Sequence, residues 1–151
     1  MEKLIETFYT AFNNRDADTM IACYHEDIIF EDPAFGKLQG EHAKSMWRML
    51  CKNAKNLQIE FSDIKIHKHT GSAHWEAWYL FSKTGRSVHN KIDAQFVFKD
   101  GKIIKHTDNF DLHKWASQAM GWKGKILGGT RFFKKKLQQQ THHMLHKFMT
   151  S

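Results

Sequence analysis

An aspartate placed directly before a proline, at the end of an apolar run, is the first residue here whose type and position could support chemistry. The run is Ile28-Ile29-Phe30-Glu31-Asp32-Pro33-Ala34-Phe35-Gly36. It reads as a short strand that Pro33 stops, because proline has no N–H to give to a ladder. The residue before a proline is held extended, so the Asp32 side chain has a defined direction. Phe30 and Phe35 flank it. A carboxylate among aromatic rings is costly to ionise, which moves its pKa toward the range useful for proton transfer. The other reading of Asp32 is a cap on a surface turn. A second candidate pair, His106 and Asp108, lies two residues apart near the end of a later strand, so both side chains share one face. A histidine beside an acid, or two acids at one site, perturb each other's protonation and can serve to move a proton. The plainer reading of that pair is a satisfied polar couple bonded to backbone or water.

These side chains need elements to hold them. Residues 2–14 carry Leu4, Ile5, Phe8, Ala11 and Phe12 at helical spacing, which predicts an amphipathic helix. Asp16 is a suitable N-cap for a second helix with Ala17, Met20, Ile21 and Tyr24 on one face. After the Asp32 strand, Gly36 and Gly40 bracket a loop, and a third helix runs from about Glu41 to Lys52 with Ala43, Met46, Trp47 and Leu50 inward. The period then changes to two. Leu57, Ile59 and Phe61 alternate, and the parity slips before Ile64 and Ile66, which predicts a bulge that bends the strand. Ser72–Lys83 and residues 87–99 alternate in the same way, separated by Thr84-Gly85-Arg86. Asp100-Gly101 is a hairpin signal, and the last strand runs from Lys102 to about Phe110. Helices first and hairpin-linked strands afterwards predict an α+β fold, with helices on one face of a strongly curved antiparallel sheet. Such a cone has an apolar mouth, a usual place for a ligand.

The totals narrow the classes further. A chain of 151 residues with 13% aromatics and a single proline fits one globular domain rather than a disordered chain. No run approaches the roughly 20 apolar residues of a membrane span. The N-terminus lacks a signal-peptide pattern, and Cys23 and Cys51 match no metal or redox spacing, so the expectation is free thiols in a reducing cytoplasm. The net charge is +7, and from Gly121 to Ser151 there are seven basic residues and no acid. The excess therefore lies in the tail, which argues against the domain as a whole being a nucleic-acid binder. In that tail Phe133, Leu137, Met144, Leu145 and Phe148 form an interrupted apolar stripe. A basic amphipathic helix of this kind can lie on an anionic membrane, on nucleic acid or on a partner. Packing against its own domain, or across a dimer, is the expected role because most such helices face a core. Metal is not expected: His67 and His69 share a face without a third ligand, and His142, His143 and His146 read as a solvated helix face. Gly128-Gly129 is not followed by the residues of a phosphate loop.

The order of Phe12-Asn13-Asn14-Arg15-Asp16, Phe30-Glu31-Asp32-Pro33, Gly36, Gly40, Trp75, Gly85-Arg86, Phe96-Val97-Phe98, Gly101-Lys102-Ile103 and Asp108-Asn109-Phe110-Asp111 resembles the SnoaL-like branch of the nuclear transport factor 2-like superfamily. That superfamily also holds ketosteroid isomerases, polyketide cyclases and limonene epoxide hydrolases. The resemblance covers about residues 1–120, with 121–151 as a basic C-terminal helical extension. It implies a cone-shaped, barrel-like sheet around N-terminal helices, a deep pocket for a small apolar ligand, and a homodimer packed through the sheet. It implies no cofactor. Asp32 matches the general base of ketosteroid isomerases, but their oxyanion-hole tyrosine falls at Phe8 and their neutral oxyanion-hole acid at Ala94. Without those donors, which usually supply a large catalytic contribution, the resemblance argues against ketosteroid isomerase activity itself. The Arg–Asp pair of limonene epoxide hydrolases is not found facing inward. Polyketide cyclases place an acid on the last strand, where Asp108 stands. Asp32, His106 and Asp108 are thus the expected catalytic set. Phe8, Phe12, Phe30, Phe35, Trp47, Trp75, Tyr79, Asn90, Ala94, Phe96 and Phe110 are the expected ligand-binding wall. Two functions follow: a cofactor-free enzyme that isomerises, cyclises or hydrates an apolar substrate, or a non-catalytic binder using the same pocket.

Overall fold

The computed structural model describes all 151 residues. Helix α1 spans Glu2–Asn13 and α2 Ala17–Ala22, with the Asp16 carboxylate accepting the backbone N–H of Thr19 at 3.1 Å. Strand β1 (Tyr24–Asp32) follows, then β2 (Gly36–Gln39), α3 (Glu41–Asn53) and the long strands β3 (Gln58–His67), β4 (Thr70–Leu80), β5 (Ser87–Lys99) and β6 (Lys102–Asn109). The chain ends in three helices, α4 (Leu112–Met120), α5 (Trp122–Leu127) and α6 (Arg131–Thr150). The fold is α+β, with one curved, unclosed six-stranded sheet in the order β2-β1-β6-β5-β4-β3.

Local chemistry explains the shape of the sheet. The β3–β4 register shifts between Ser62 and Lys65, where the alternation of apolar residues slips. Asp63 takes the left-handed conformation there, at φ 53°, which Asp adopts more readily than most residues. The extra residue bends β3 and strengthens its twist. The β5–β6 hairpin turns at Asp100 and Gly101, both with positive φ, as a two-residue turn of this type requires.

Four features differ from the sequence reading. Tyr24, expected on the second helix, instead opens β1, because α2 ends at Ala22. Gly36–Gly40 is not a loop throughout, because Gly36–Gln39 forms β2 and pairs antiparallel with β1. The sheet is not wholly antiparallel either. β1 runs parallel to β6, bringing Phe30 beside His106 and Glu31 beside Thr107, and this places the Asp32 end of β1 alongside the acid-bearing end of β6. Lastly, α4 and α5 precede the tail helix. Asp111 caps α4 by accepting the N–H of Lys114 at 3.0 Å.

The main core joins α1, α2 and α3 to the inner face of the sheet, and Leu145 of α6 belongs to it. A smaller cluster joins Val88 of β5 to Trp115, Ala116 and Ala119 of α4 and Leu137 of α6. The C-terminal helices therefore extend the same packed body, as the apolar stripe of the tail suggested.

Candidate functional site

A cavity of about 270 Å³ opens between the inner face of the sheet, α3 and the C-terminal helices. Ligand pockets usually run from about 300 to 1,000 Å³, so this one suits a small molecule. Of its 30 lining residues 21 are hydrophobic, which sets its preference for an apolar guest.

Asp32 closes β1 at the wall of this cavity. Its Oδ1 accepts the backbone N–H of Ala34 at 2.9 Å and of Phe35 at 2.6 Å, so the carboxylate caps the turn that Pro33 begins. Both readings of Asp32 therefore apply together: one oxygen holds the turn while the residue lines the cavity. Burial pushes its carboxyl up to about 7. The Phe35 N–H works against that rise, and the negative charge of Asp108 adds to it. An acid with this affinity exchanges its proton readily near neutral pH.

The turn itself is held from the far end of the chain. Gln138 donates to the carbonyl of Pro33 at 3.2 Å, Thr141 to that of Ala34 at 2.9 Å, and His142 bonds the carbonyl of Phe35. Three side chains of α6 thus satisfy three successive carbonyls of the Asp32 turn. Buried backbone acceptors without such partners would be costly.

Asp108, on β6, lines the same cavity. Its Oδ1 accepts from the Trp75 indole at 3.2 Å and from His106 Nε2 at 2.9 Å. His106 continues the chain: its Nδ1 meets the Tyr24 hydroxyl at 2.7 Å, and that oxygen accepts the Trp47 indole N–H at 2.8 Å. Donor counting gives one consistent direction. Trp47 donates to Tyr24, Tyr24 donates to Nδ1, and the Nε2–H tautomer donates to Asp108. The reverse tautomer would leave the Tyr24 proton with no acceptor. The Oδ2 of Asp108 takes no hydrogen bond from the protein, so it is the oxygen left for a ligand.

Tyr79 and Asn90 add polar atoms to the wall. Tyr79 accepts the Trp115 indole N–H at 2.7 Å, which leaves its own proton free to donate. Its hydroxyl is pushed up to about 12 by burial and by the Asp32 charge, with the Trp115 bond opposing, so it stays a neutral donor at physiological pH.

The expected wall residues divide into two groups. Phe12, Phe30, Phe35, Trp47, Trp75, Tyr79, Asn90 and Phe110 line the cavity, as do Asp32 and Asp108. Phe8, Ala94, Phe96 and His106 do not; all four are buried in the core behind it. His106 shares the inward face with Asp108 but is fully enclosed, because rings from three other elements and from β5 cover it. The centroids of Phe96, Phe30, Phe8 and Trp47 lie 4.6, 5.1, 5.6 and 6.1 Å from the imidazole. Its imidazole therefore hydrogen-bonds to the cavity wall only through Asp108. The sequence reading missed Trp115 on α4 and Leu137, Gln140, Thr141 and Met144 on α6, all of which line the cavity. The Asp111 cap before Trp115, and the Leu137–Met144 stripe, were the available signals. No group of three or more His, Cys, Asp or Glu side chains is arranged to hold a metal ion, and no helix is long and apolar enough to cross a membrane.

Solved structures share this architecture. A limonene epoxide hydrolase-like enzyme of M. tuberculosis matches with a TM-score of 0.65 at 20% identity, covering 83% of this chain and 89% of that one. A candidate polyketide cyclase from Xanthomonas campestris matches with a TM-score of 0.64 at 21% identity over 77% of this chain and 93% of the other. A Catenulispora acidiphila protein with a ketosteroid isomerase-like fold reaches a TM-score of 0.68 at 10% identity, over 77% and 91% of the two chains. At such identities the likeness concerns the fold. No curated protein sequence matches the chain. The SnoaL-like domain matches residues 5–106, and the chain belongs to that family.

Proposed function

We propose that this protein is a small acid/base enzyme acting on an apolar substrate, with Asp32 as the group that takes up or delivers the proton. The observation that carries this reading is a carboxyl held near neutrality at the wall of an apolar cavity. In the proposed reaction the substrate lies between Asp32 and the Tyr79–Asn90 wall. The free oxygen of Asp32 removes a proton from an acidic carbon or an attacking hydroxyl and returns it at a second position. The Tyr79 hydroxyl donates to the oxygen on which charge develops, a role that does not depend on donors at Phe8 or Ala94. Asp108, fixed by Trp75 and His106, orients a polar edge of the substrate. Isomerisation, cyclisation and hydration all fit this equipment, and the cyclase and epoxide hydrolase among the structural neighbours belong to the same range of chemistry. Every step named here uses groups of the protein itself, without a cofactor.

The enclosure of His106 favours a second reading, a binder whose buried polar chain only shapes the cavity. The two separate in one experiment. Native mass spectrometry of the purified protein identifies the retained small molecule, and turnover of it or its close analogues is then compared with Asp32→Asn. Retention with no turnover by the wild type would favour the binder. Turnover that survives Asp32→Asn would remove Asp32 from the chemistry. We also propose a homodimer packed through the outer face of the sheet, where Trp78 stacks on His89 at 4.4 Å and Glu76 bonds both His74 and His89. Light scattering on the eluting protein measures the mass directly, and a monomer mass would reject it.

A further inference from the structure

Helix α5 is built the wrong way round for an ordinary surface helix. Such a helix turns its apolar stripe to the core and its small or polar residues outward. In α5 the buried positions are Gly124 and, just past the helix end, Gly128. A Cβ on Gly124 would meet the Ala116 carbonyl oxygen at 1.9 Å, and one on Gly128 would meet the Ala116 Cβ at 2.6 Å, so the glycines let α5 sit directly on α4. One face of the helix is thereby committed to glycine. Trp122 and Ile126, four residues apart, occupy the opposite face and are 69% and 67% exposed. Leu127 and Phe132 are exposed as well, Phe132 to 69%. Four of the seven large hydrophobic residues exposed anywhere on the protein thus fall within Trp122–Phe132, a concentration that scattered surface exposure does not produce.

The charge around them has one sign. Lys123 and Lys125 flank Trp122 and Ile126 on α5, and Arg131, Lys134, Lys135 and Lys136 follow on the first turns of α6, all exposed. Two of these cations lie over the exposed rings, Lys123 at 5.9 Å from Trp122 and Lys136 at 5.6 Å from Phe132. No acidic residue occurs after Asp111. An exposed tryptophan with aliphatic neighbours inside a ring of lysines matches an anionic lipid surface. The apolar side chains enter the headgroup boundary, and the cations stay with the phosphates.

We propose that the Trp122–Lys136 surface docks the protein on anionic membranes as a peripheral contact. The inner stripe of α6 takes no part, since Leu137 and Leu145 are already packed in the core. Docking therefore leaves the Asp32 turn and its α6 contacts in place. It would set the helices that wall the cavity against the phase in which apolar molecules dissolve.

The test is flotation of the full chain with vesicles of phosphatidylcholine alone and with an equimolar phosphatidylcholine–phosphatidylglycerol mixture. Binding to the mixed vesicles, little binding to the neutral ones, and release by salt are expected. The double variant Trp122→Ser/Ile126→Ser should weaken binding at least about tenfold, since both the apolar anchors and the cations are needed. Phe132→Ser, on a different helix, should weaken it in the same direction and guards against a folding defect of α5. Absence of binding to mixed vesicles overturns the proposal, as does binding that the serine variants leave unchanged. So does tighter binding to a single-stranded oligonucleotide, because stacking rings among lysines would then be reading bases.

Discussion

The two carboxylates of the cavity are held in contrasting ways. Asp32 is anchored only by backbone N–H groups of its own turn, among aromatic rings, and its carboxyl is pushed up to about 7. Asp108 is anchored by side chains from two strands, Trp75 and His106, and through His106 it connects to Tyr24 and Trp47. Both leave their second oxygen uncommitted, but in the first arrangement burial leaves the charged form poorly solvated, which suits a group that gains and loses a proton. The second fixes an oxygen through a chain of directed bonds, which suits a group that stays where it is. In the proposed reaction the two acids of one cavity therefore take different roles through their partners and not through their residue type.

The sharpest way to break that contrast is Asp32→Asn. Turnover should fall by about 10²- to 10⁴-fold, the usual contribution of a positioned acid or base, with ligand retention kept. An equal loss from Asp108→Asn would show that the two roles are not distinct. Removing α6 by truncation after Gly129 should be the largest perturbation of stability. It strips Leu137 and Leu145 from their clusters and frees the three carbonyls of the Asp32 turn. Burial of the leucines alone accounts for roughly 3–6 kcal/mol, so denaturant unfolding should show a loss of at least that order. Unchanged stability would mean that α6 does not hold the turn.

Tyr24→Phe probes the Asp108 side. It removes the hydroxyl that joins the Trp47 indole to His106 and leaves buried groups unpaired, costing about 1–3 kcal/mol. Asp32 titration is unaffected by it if the two sides are independent. An effect of similar size concerns pH and stability. Asp32 has a raised pKa, so the folded state holds its proton more tightly than the unfolded state. The stability it contributes is present in acid and is lost as pH rises from about 4 through about 7. The Asn variant has no such loss. Relative to the wild type it should gain roughly 1–3 kcal/mol between those limits, less than the full shift because the carboxyl keeps contact with the cavity. A constant difference across that range would argue against a buried, perturbed Asp32.

Much of this was legible in the sequence because it rests on local rules. Pro33 marks the end of β1, the slip between Phe61 and Ile64 marks the bulge, and Asp100-Gly101 marks the hairpin. Strand parity put Asp108 and His106 on the inward face, and both do lie there. Parity could not show that Phe8 from α1, Phe30 from β1 and Trp47 from α3 close over His106 while Asp108, itself buried, still reaches the cavity wall. That outcome depends on three elements meeting across the core. The same limit hid Trp115 and the α6 side chains from the list of wall residues, since nothing local to α6 says that Gln138 and Thr141 will reach carbonyls more than a hundred residues away. β2 escaped notice because it has only four residues, Gly36–Gln39, too few to show a period.

The central claim is that Asp32 carries an exchangeable proton near neutral pH inside the cavity, and its carboxyl carbon reports this directly. A ¹³C NMR titration of the aspartate carboxyls, with Asp32→Asn used to assign the signal, should give a midpoint near 7. A midpoint in the ordinary aspartate range, near about 4, would contradict the account.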